Sequence, residues 1–142
     1  MKIILASDHG GFELKEQIKF YLTEKGIDFE DMGTHSNASV DYPAMAKRAV
    51  PKVLANKNNF GVFVCGSGIG ISIMANRYKG IRAALVHSEI YAQLSRSHND
   101  ANVLCLGGRF LTFEEAKTIV DVFLETPFMG AQHVARVKAL DS

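Results

Sequence analysis

Apolar residues in this chain come in five short runs, and between the runs they recur every three or four positions. The runs 2–7 (KIILAS), 27–32 (IDFEDM), 60–65 (FGVFVC), 82–86 (RAALV) and 103–107 (VLCLG) have the length and composition of strands. Leu14, Ile18, Tyr21 and Leu22 form one stripe at helical spacing, and Gly26 follows as a C-terminal stop. Thr112-x-x-Glu115 has the capping-box pattern, after which Ala116, Ile119, Val120 and Phe123 continue a buried face up to Pro127. The segment 43–55 is also helical in pattern, but Pro51 inside it must kink, shorten or restart that helix. Strand-helix alternation with right-handed crossovers predicts a parallel sheet covered on both faces. The expected fold is therefore α/β: a doubly wound, Rossmann-like three-layer sandwich with a five-stranded parallel sheet.

Length and charge narrow the picture. A chain of 142 residues that is 47% hydrophobic fits one domain, 1–142, ending in a C-terminal helix. Sixteen basic and 15 acidic residues leave a formal charge of +1, which gives no general field for nucleic acid or an acidic membrane, so any anion site must be local. Met1-Lys2 leads straight into a short apolar run ended by Ser7-Asp8, and no stretch approaches transmembrane length. The expectation is a cytoplasmic protein. Cys65 and Cys105 each lie in or at the end of an apolar run, a pattern of free thiols rather than of a disulfide framework or zinc site.

In open parallel sheets ligands bind beyond the carboxyl ends of the strands. Three such positions are informative: Ser7-Asp8-His9-Gly10-Gly11 after strand one, Cys65-Gly66-Ser67-Gly68-Ile69-Gly70 after strand three, and Gly107-Gly108-Arg109 after strand five. The three glycines after Cys65 let the backbone turn its N–H groups toward an anion where a helix begins. It is not a dinucleotide fingerprint, since Ile71 stands where the third glycine belongs, and it lacks the Gly-Lys-Ser/Thr of a P-loop. A thiol beside such a nest suits a nucleophile or a general base, although a lone cysteine ending a strand is by default an inert buried thiol.

His98-Asn99-Asp100 lies in a polar segment ahead of strand five, where an imidazole can serve as acid or base near neutral pH. Asp8 either accepts sugar hydroxyls or caps the following helix, and His9 can face a phosphate. Arg109, His133, Arg136 and Lys138 add positive charge toward the end of the chain, the last three on what by default is a solvated helix face. A thiol, an imidazole, an amide cradle and basic groups, with no evident metal constellation, suit proton transfer next to a carbonyl. One base shuttles the proton between adjacent carbons while fixed donors hold the enediolate.

The segments SDHGGFELK, VDYPAMA, CGSGIGISIMANRYKGIRAAL, SRSHNDANVLCLGGR and HVARV resemble the type B ribose-5-phosphate isomerase family, which also contains galactose-6-phosphate and allose-6-phosphate isomerases. The resemblance spans nearly the whole chain. It implies an aldose-ketose isomerase of the non-oxidative pentose phosphate pathway that uses no cofactor or metal, and that forms dimers or tetramers with shared sites. By resemblance, Cys65 is the base between carbons 1 and 2, and Ser67 with the amides of Gly66, Gly68, Ile69 and Gly70 holds the enediolate. His98 would open the furanose ring with help from Asp8, Asn99 would bind substrate, His9, Arg109 and Arg136 would face the phosphate, and Tyr42 would line the pocket. One position departs from the family pattern: Gln132 stands where a further phosphate-binding arginine is usual.

Three other readings compete. A six-carbon sugar phosphate is the runner-up substrate, ranked second because the intact His98-Asn99 pair suits opening of a furanose. A non-catalytic phosphate-binding module on the same fold is a different class, and thiol redox chemistry at Cys65 and Cys105 is weakened by the lack of a Cys-x-x-Cys pair. From the topology alone, His98 and Asn99 fall toward the sheet edge opposite Cys65. The expected working unit is therefore a homodimer in which a partner supplies His98.

Overall fold

A computed structural model describes all residues, 1–142. Five strands and six helices follow in the order β1 (Ile3–Ser7), α1 (Phe12–Glu24), β2 (Phe29–Asp31), α2 (Tyr42–Leu54), β3 (Phe60–Cys65), α3 (Ile69–Ala75), β4 (Ala83–Leu85), α4 (Glu89–Ser97), β5 (Val103–Gly107), α5 (Phe113–Glu125) and α6 (His133–Leu140). The strands form one wholly parallel sheet in the order β2-β1-β3-β5-β4. This is the expected doubly wound sandwich.

The strand runs are apolar without a break because both faces of the sheet are covered, and their alternation sorts the residues into two cores. Ile3, Leu5, Val62, Val64, Leu104 and Leu106 pack with α1 and α5 on one face. Ile4, Ala6, Phe63, Cys65, Val103 and Cys105 pack with α2 and α3 on the other. Both cysteines therefore face the same layer and are free thiols. The expected strands 27–32 and 82–86 shorten to the three residues of β2 and β4, which lie at the sheet edges and pair on one side only.

Thr112 closes the expected capping box: its hydroxyl accepts from the Glu115 N–H at 3.1 Å while the Glu115 carboxylate accepts from the Thr112 N–H at 2.9 Å. Gly26 takes a φ of 69° just past α1, as a left-handed helix stop should. Helix α2 runs on through Pro51, so of the outcomes a proline permits, shortening and restarting are not taken. The carbonyl that Pro51 cannot satisfy belongs to Lys47, and both residues are exposed, which leaves that oxygen to water. Helix α1 also buries the Lys15 side chain completely, its ammonium 2.6 Å from the Asp31 carboxylate and 3.1 Å from Glu16.

Each helix runs back antiparallel to the sheet, so the end of α4 and the residues that enter β5 lie at the amino-terminal ends of the strands. The last segment of the chain joins them there. The Met129 N–H donates to the Ser97 carbonyl, and Asp141, just beyond α6, accepts from the Gly80 N–H and from Arg82.

Candidate active site

At the carboxyl ends of β1, β3 and β5, the three central strands, three turns meet backbone to backbone. The Asp8 N–H donates to the Val64 carbonyl, the Gly108 N–H to the Cys65 carbonyl, and the Arg109 N–H to the Gly66 carbonyl. A Cβ on Gly11 would sit 2.3 Å from the Val64 carbonyl oxygen, and one on Gly108 would sit 2.8 Å from the Gly10 carbonyl oxygen. Only hydrogen at these positions lets the turns close on each other.

Within this floor the Gly68 N–H points at Cys65 Sγ, at 3.2 Å, and the Ile69 N–H donates to Ser67 Oγ at 3.1 Å. Gly68 holds a φ of 79°, which turns the chain from β3 into α3. Tyr42, at the start of α2, covers Gly70 so closely that a Cβ there would meet the ring at 2.4 Å. The Arg109 guanidinium reaches over Gly66. Asp8 caps its own turn by accepting from the Gly11 N–H at 3.1 Å. His9 is braced through Nδ1, which lies 3.1 Å from the Val40 carbonyl oxygen and 3.2 Å from the Val40 nitrogen, leaving Nε2 available. Asp8, His9, Tyr42, Cys65, Gly66, Ser67, Gly68, Ile69, Gly70 and Arg109 are thus one cluster that combines a thiol, amide donors, an imidazole and a guanidinium.

The second cysteine is different. Burial, then the nearby Cys65, pushes the Cys105 thiol far above the usual range, so it stays protonated inside the sheet.

The remaining expected residues form a second cluster at the other end of the strands. The His98 ring stacks on the His133 ring of α6, with centroids 4.3 Å apart and planes 16° from parallel. Asn99 is exposed beside it, and Arg136 is exposed one turn along α6. Burial, followed by the neighbouring His98 and Arg136, holds the His133 pKa below its ordinary value. His133 Nε2 is buried without a protein partner. Gln132 precedes α6, exposed and making no cap bond with its side chain. The stretch from Phe60 to Cys65 separates the two clusters by roughly 17 Å of strand at about 3.3 Å per residue, so one chain does not bring His98 to Cys65.

A recess of about 750 Å³ opens at this amino-terminal side against Phe60, Arg82, Arg96 and Asn102. Its arginines are engaged by protein oxygens, and it contains no thiol or imidazole for moving a proton. The thiol and the amide donors lie instead in the carboxyl-end cluster. Sequence reasoning gave no role to Arg82, Arg96 or Asp100. Arg96 and Asp100 stand four residues apart, a local helical spacing, and the fold brings Arg82 to them.

A family model described as Ribose/Galactose Isomerase matches residues 3–140. Ribose-5-phosphate isomerase B of Escherichia coli K12 is 43% identical over 139 residues, covering 98% of this chain and 93% of that protein. The crystal structure of a ribose 5-phosphate isomerase from Thermotoga maritima superposes with a TM-score of 0.96 at 54% identity, covering 99% of this chain and 97% of that one. Ribose-5-phosphate isomerase B from Mycoplasma genitalium, solved with bound ribulose-5-phosphate, gives a TM-score of 0.93 at 42% identity, covering 98% and 93%.

Proposed function

The chain belongs to the ribose/galactose isomerase family, and from that premise we propose how its own residues interconvert D-ribose 5-phosphate and D-ribulose 5-phosphate. The protein is an aldose-ketose isomerase. The observation that carries the reading is the aim of the Gly68 amide at Cys65 Sγ, which places a base and oxyanion donors on one turn. The Cys65 thiolate takes the proton from carbon 2 of the open-chain aldose and returns it to carbon 1. Ser67 and the amides of residues 66–70 hold the enediolate oxygens between the two transfers. Donors fixed by a glycine turn need no reorganisation when the charge appears.

The furanose must open first. His98 donates a proton to the ring oxygen while Asp8 takes the proton of the carbon 1 hydroxyl, and Asn99 binds the sugar. His9 and Arg109 hold the phosphate with Arg136, and Tyr42 walls the pocket. Because His98, Asn99 and Arg136 share the end of the strands remote from Cys65, a second copy of the chain delivers them, and the working unit is a homodimer or a dimer of dimers. The whole chain, 1–142, acts as one catalytic domain. Its two free thiols fit the reducing cytoplasm.

Incubation with ribose 5-phosphate is expected to yield ketose without added metal or nucleotide; absence of ketose rejects the activity. Mixing inactive Cys65→Ala and His98→Ala proteins under subunit exchange is expected to restore part of the activity through sites that carry both intact groups. No recovery after confirmed exchange rejects the shared site.

A further inference from the structure

His98 and Asn99 leave the last turn of α4 on a loop that is exposed at Asn99, yet the next residue is tied down from every side. Asp100 holds a φ of 48°, in the left-handed region that residues other than glycine seldom take. Its Oδ1 accepts from Arg96 Nη1 at 2.9 Å and its Oδ2 from Arg82 Nη2 at 3.3 Å. Its carbonyl accepts from Arg82 Nε at 2.8 Å, and its N–H donates to the Arg96 carbonyl at 3.2 Å.

The two arginines are anchored in turn. Arg96 is buried, donates to the Ala101 carbonyl at 2.6 Å and the Thr126 carbonyl at 3.3 Å, and lies over the rings of Phe60 and Phe123. Arg82 also pairs at 3.2 Å with Asp141, at the end of the helix whose His133 stacks on His98. One carboxylate thus closes the turn that carries the imidazole, and Arg82 joins that turn to α6.

We propose that Asp100 is a positioning residue for isomerisation: clamped between Arg82 and Arg96, it fixes the last turn of α4 so that His98 is presented to the sugar ring oxygen. This rests on the reading of His98 as the ring-opening acid. Asp100 touches no substrate and acts only through its neighbour. Asparagine and glycine share its tolerance of left-handed backbone, so strain can be separated from the clamp.

The test compares two reactions in each variant. Conversion of ribose 5-phosphate needs ring opening, whereas solvent deuterium exchange into ribulose 5-phosphate, which has no free hydroxyl to close a five-membered ring, needs only the proton transfer assigned to Cys65. Asp100→Gly keeps the backbone preference and removes both arginine bonds; at saturating substrate it is expected to slow conversion about thirtyfold and exchange less than about threefold. Asp100→Asn keeps one oxygen acceptor, is the safer variant to fold, and is expected to shift the ratio in the same direction by a smaller factor. His98→Ala is the reference. If its ratio shifts while both Asp100 variants lose the two reactions in parallel, Asp100 is a structural residue only and the proposal is overturned. If His98→Ala itself leaves the ratio unchanged, the reading of His98 fails, and the proposal fails with it.

Discussion

The two ends of the sheet are built by different means. At the carboxyl end, Gly10, Gly11, Gly68 and Gly108 bring three turns into backbone contact, and added side chains would press on main-chain atoms. At the amino-terminal end, one exposed loop and a short last helix are held by Asp100, Asp141 and two arginines. The first arrangement has no rotamers to lose and positions amides and a thiol closely. The second spans distance, since long side chains reach from α4 and the start of β4 to an otherwise solvated segment. In the mechanism proposed above, the groups that hold developing charge sit on the stiffer scaffold, and those that a second copy would deliver sit on the adjustable one.

Four changes probe that contrast. Cys65→Ala removes the proposed base and leaves the glycine floor untouched, so the fold and substrate binding should persist while turnover falls by about a thousandfold or more. Stopped assays with ribose 5-phosphate check it, and activity within about tenfold of wild type, ~1.4 kcal/mol in barrier, rules Cys65 out as essential base.

Gly68→Ala tests the backbone-built end directly. A Cβ there would lie 2.7 Å from Leu85 Cδ1 and 2.8 Å from the Leu106 carbonyl carbon, at a φ of 79° that disfavours alanine. The expected cost is about 3 kcal/mol in denaturant-measured stability, from strain and overpacking together. An unchanged midpoint would mean that the floor yields more easily than its geometry suggests.

Asp31 is the exception at the carboxyl end, a side-chain support under Gly33, whose N–H donates to its Oδ1 at 2.9 Å. Burial alone would raise the Asp31 pKa, but Lys15, the Gly33 N–H and Lys19 together hold it below the usual carboxylate range. A depressed carboxylate contributes stability that is complete above its unfolded pKa of about 4 and is lost as pH falls through the folded value. Asp31→Asn should therefore cost about 2 kcal/mol at pH 7, less than a fully broken buried pair because Glu16 stays beside Lys15. The gap between variant and wild type should close in acid, and kcat should hold. A gap independent of pH would remove the charge argument.

Gln132→Arg is the smallest change and the one that probes the adjustable end. Gln132 is exposed and makes no side-chain cap bond, so the substitution should leave stability alone. A guanidinium brings charge and a two-pronged donor in place of an amide, a gain of about 1 kcal/mol. It acts on substrate and transition state alike, so KM for ribose 5-phosphate should fall several-fold with kcat nearly constant. An unchanged or higher KM would show that position 132 does not meet the phosphate.

How far the sequence alone reaches follows the same division. The stripe Leu14-Ile18-Tyr21-Leu22, the Thr112 capping box and the βα turns after strands one, three and five are local signals, and each reappears as an element or a turn of the expected kind. Glycine-rich turns can be read from a short window because one chain segment makes them. The Arg82–Asp100 bond and the His98–His133 stack cannot, since their partners meet only after β4, α4 and α6 have packed, whereas Arg96 and Asp100 share one segment at a spacing of four. Pro51 escapes the local rule for a related reason: a proline on a solvated face leaves its orphan carbonyl to water, and exposure is a tertiary fact. The edge strands are shorter than the runs 27–32 and 82–86, because a run of residues does not reveal whether it has a neighbour on both sides.

The interlocked turns also limit how such a protein can change over generations. A single substitution at Gly10, Gly11, Gly68 or Gly108 meets the backbone of a neighbouring turn or strand, so these positions can move only in concert, and concerted changes are rare steps in a mutational walk. Asn99 and Gln132 carry exposed side chains outside that lock and can be exchanged one at a time. Descent with altered binding preference is thus channelled away from the interlocked turns and toward the exposed positions around them.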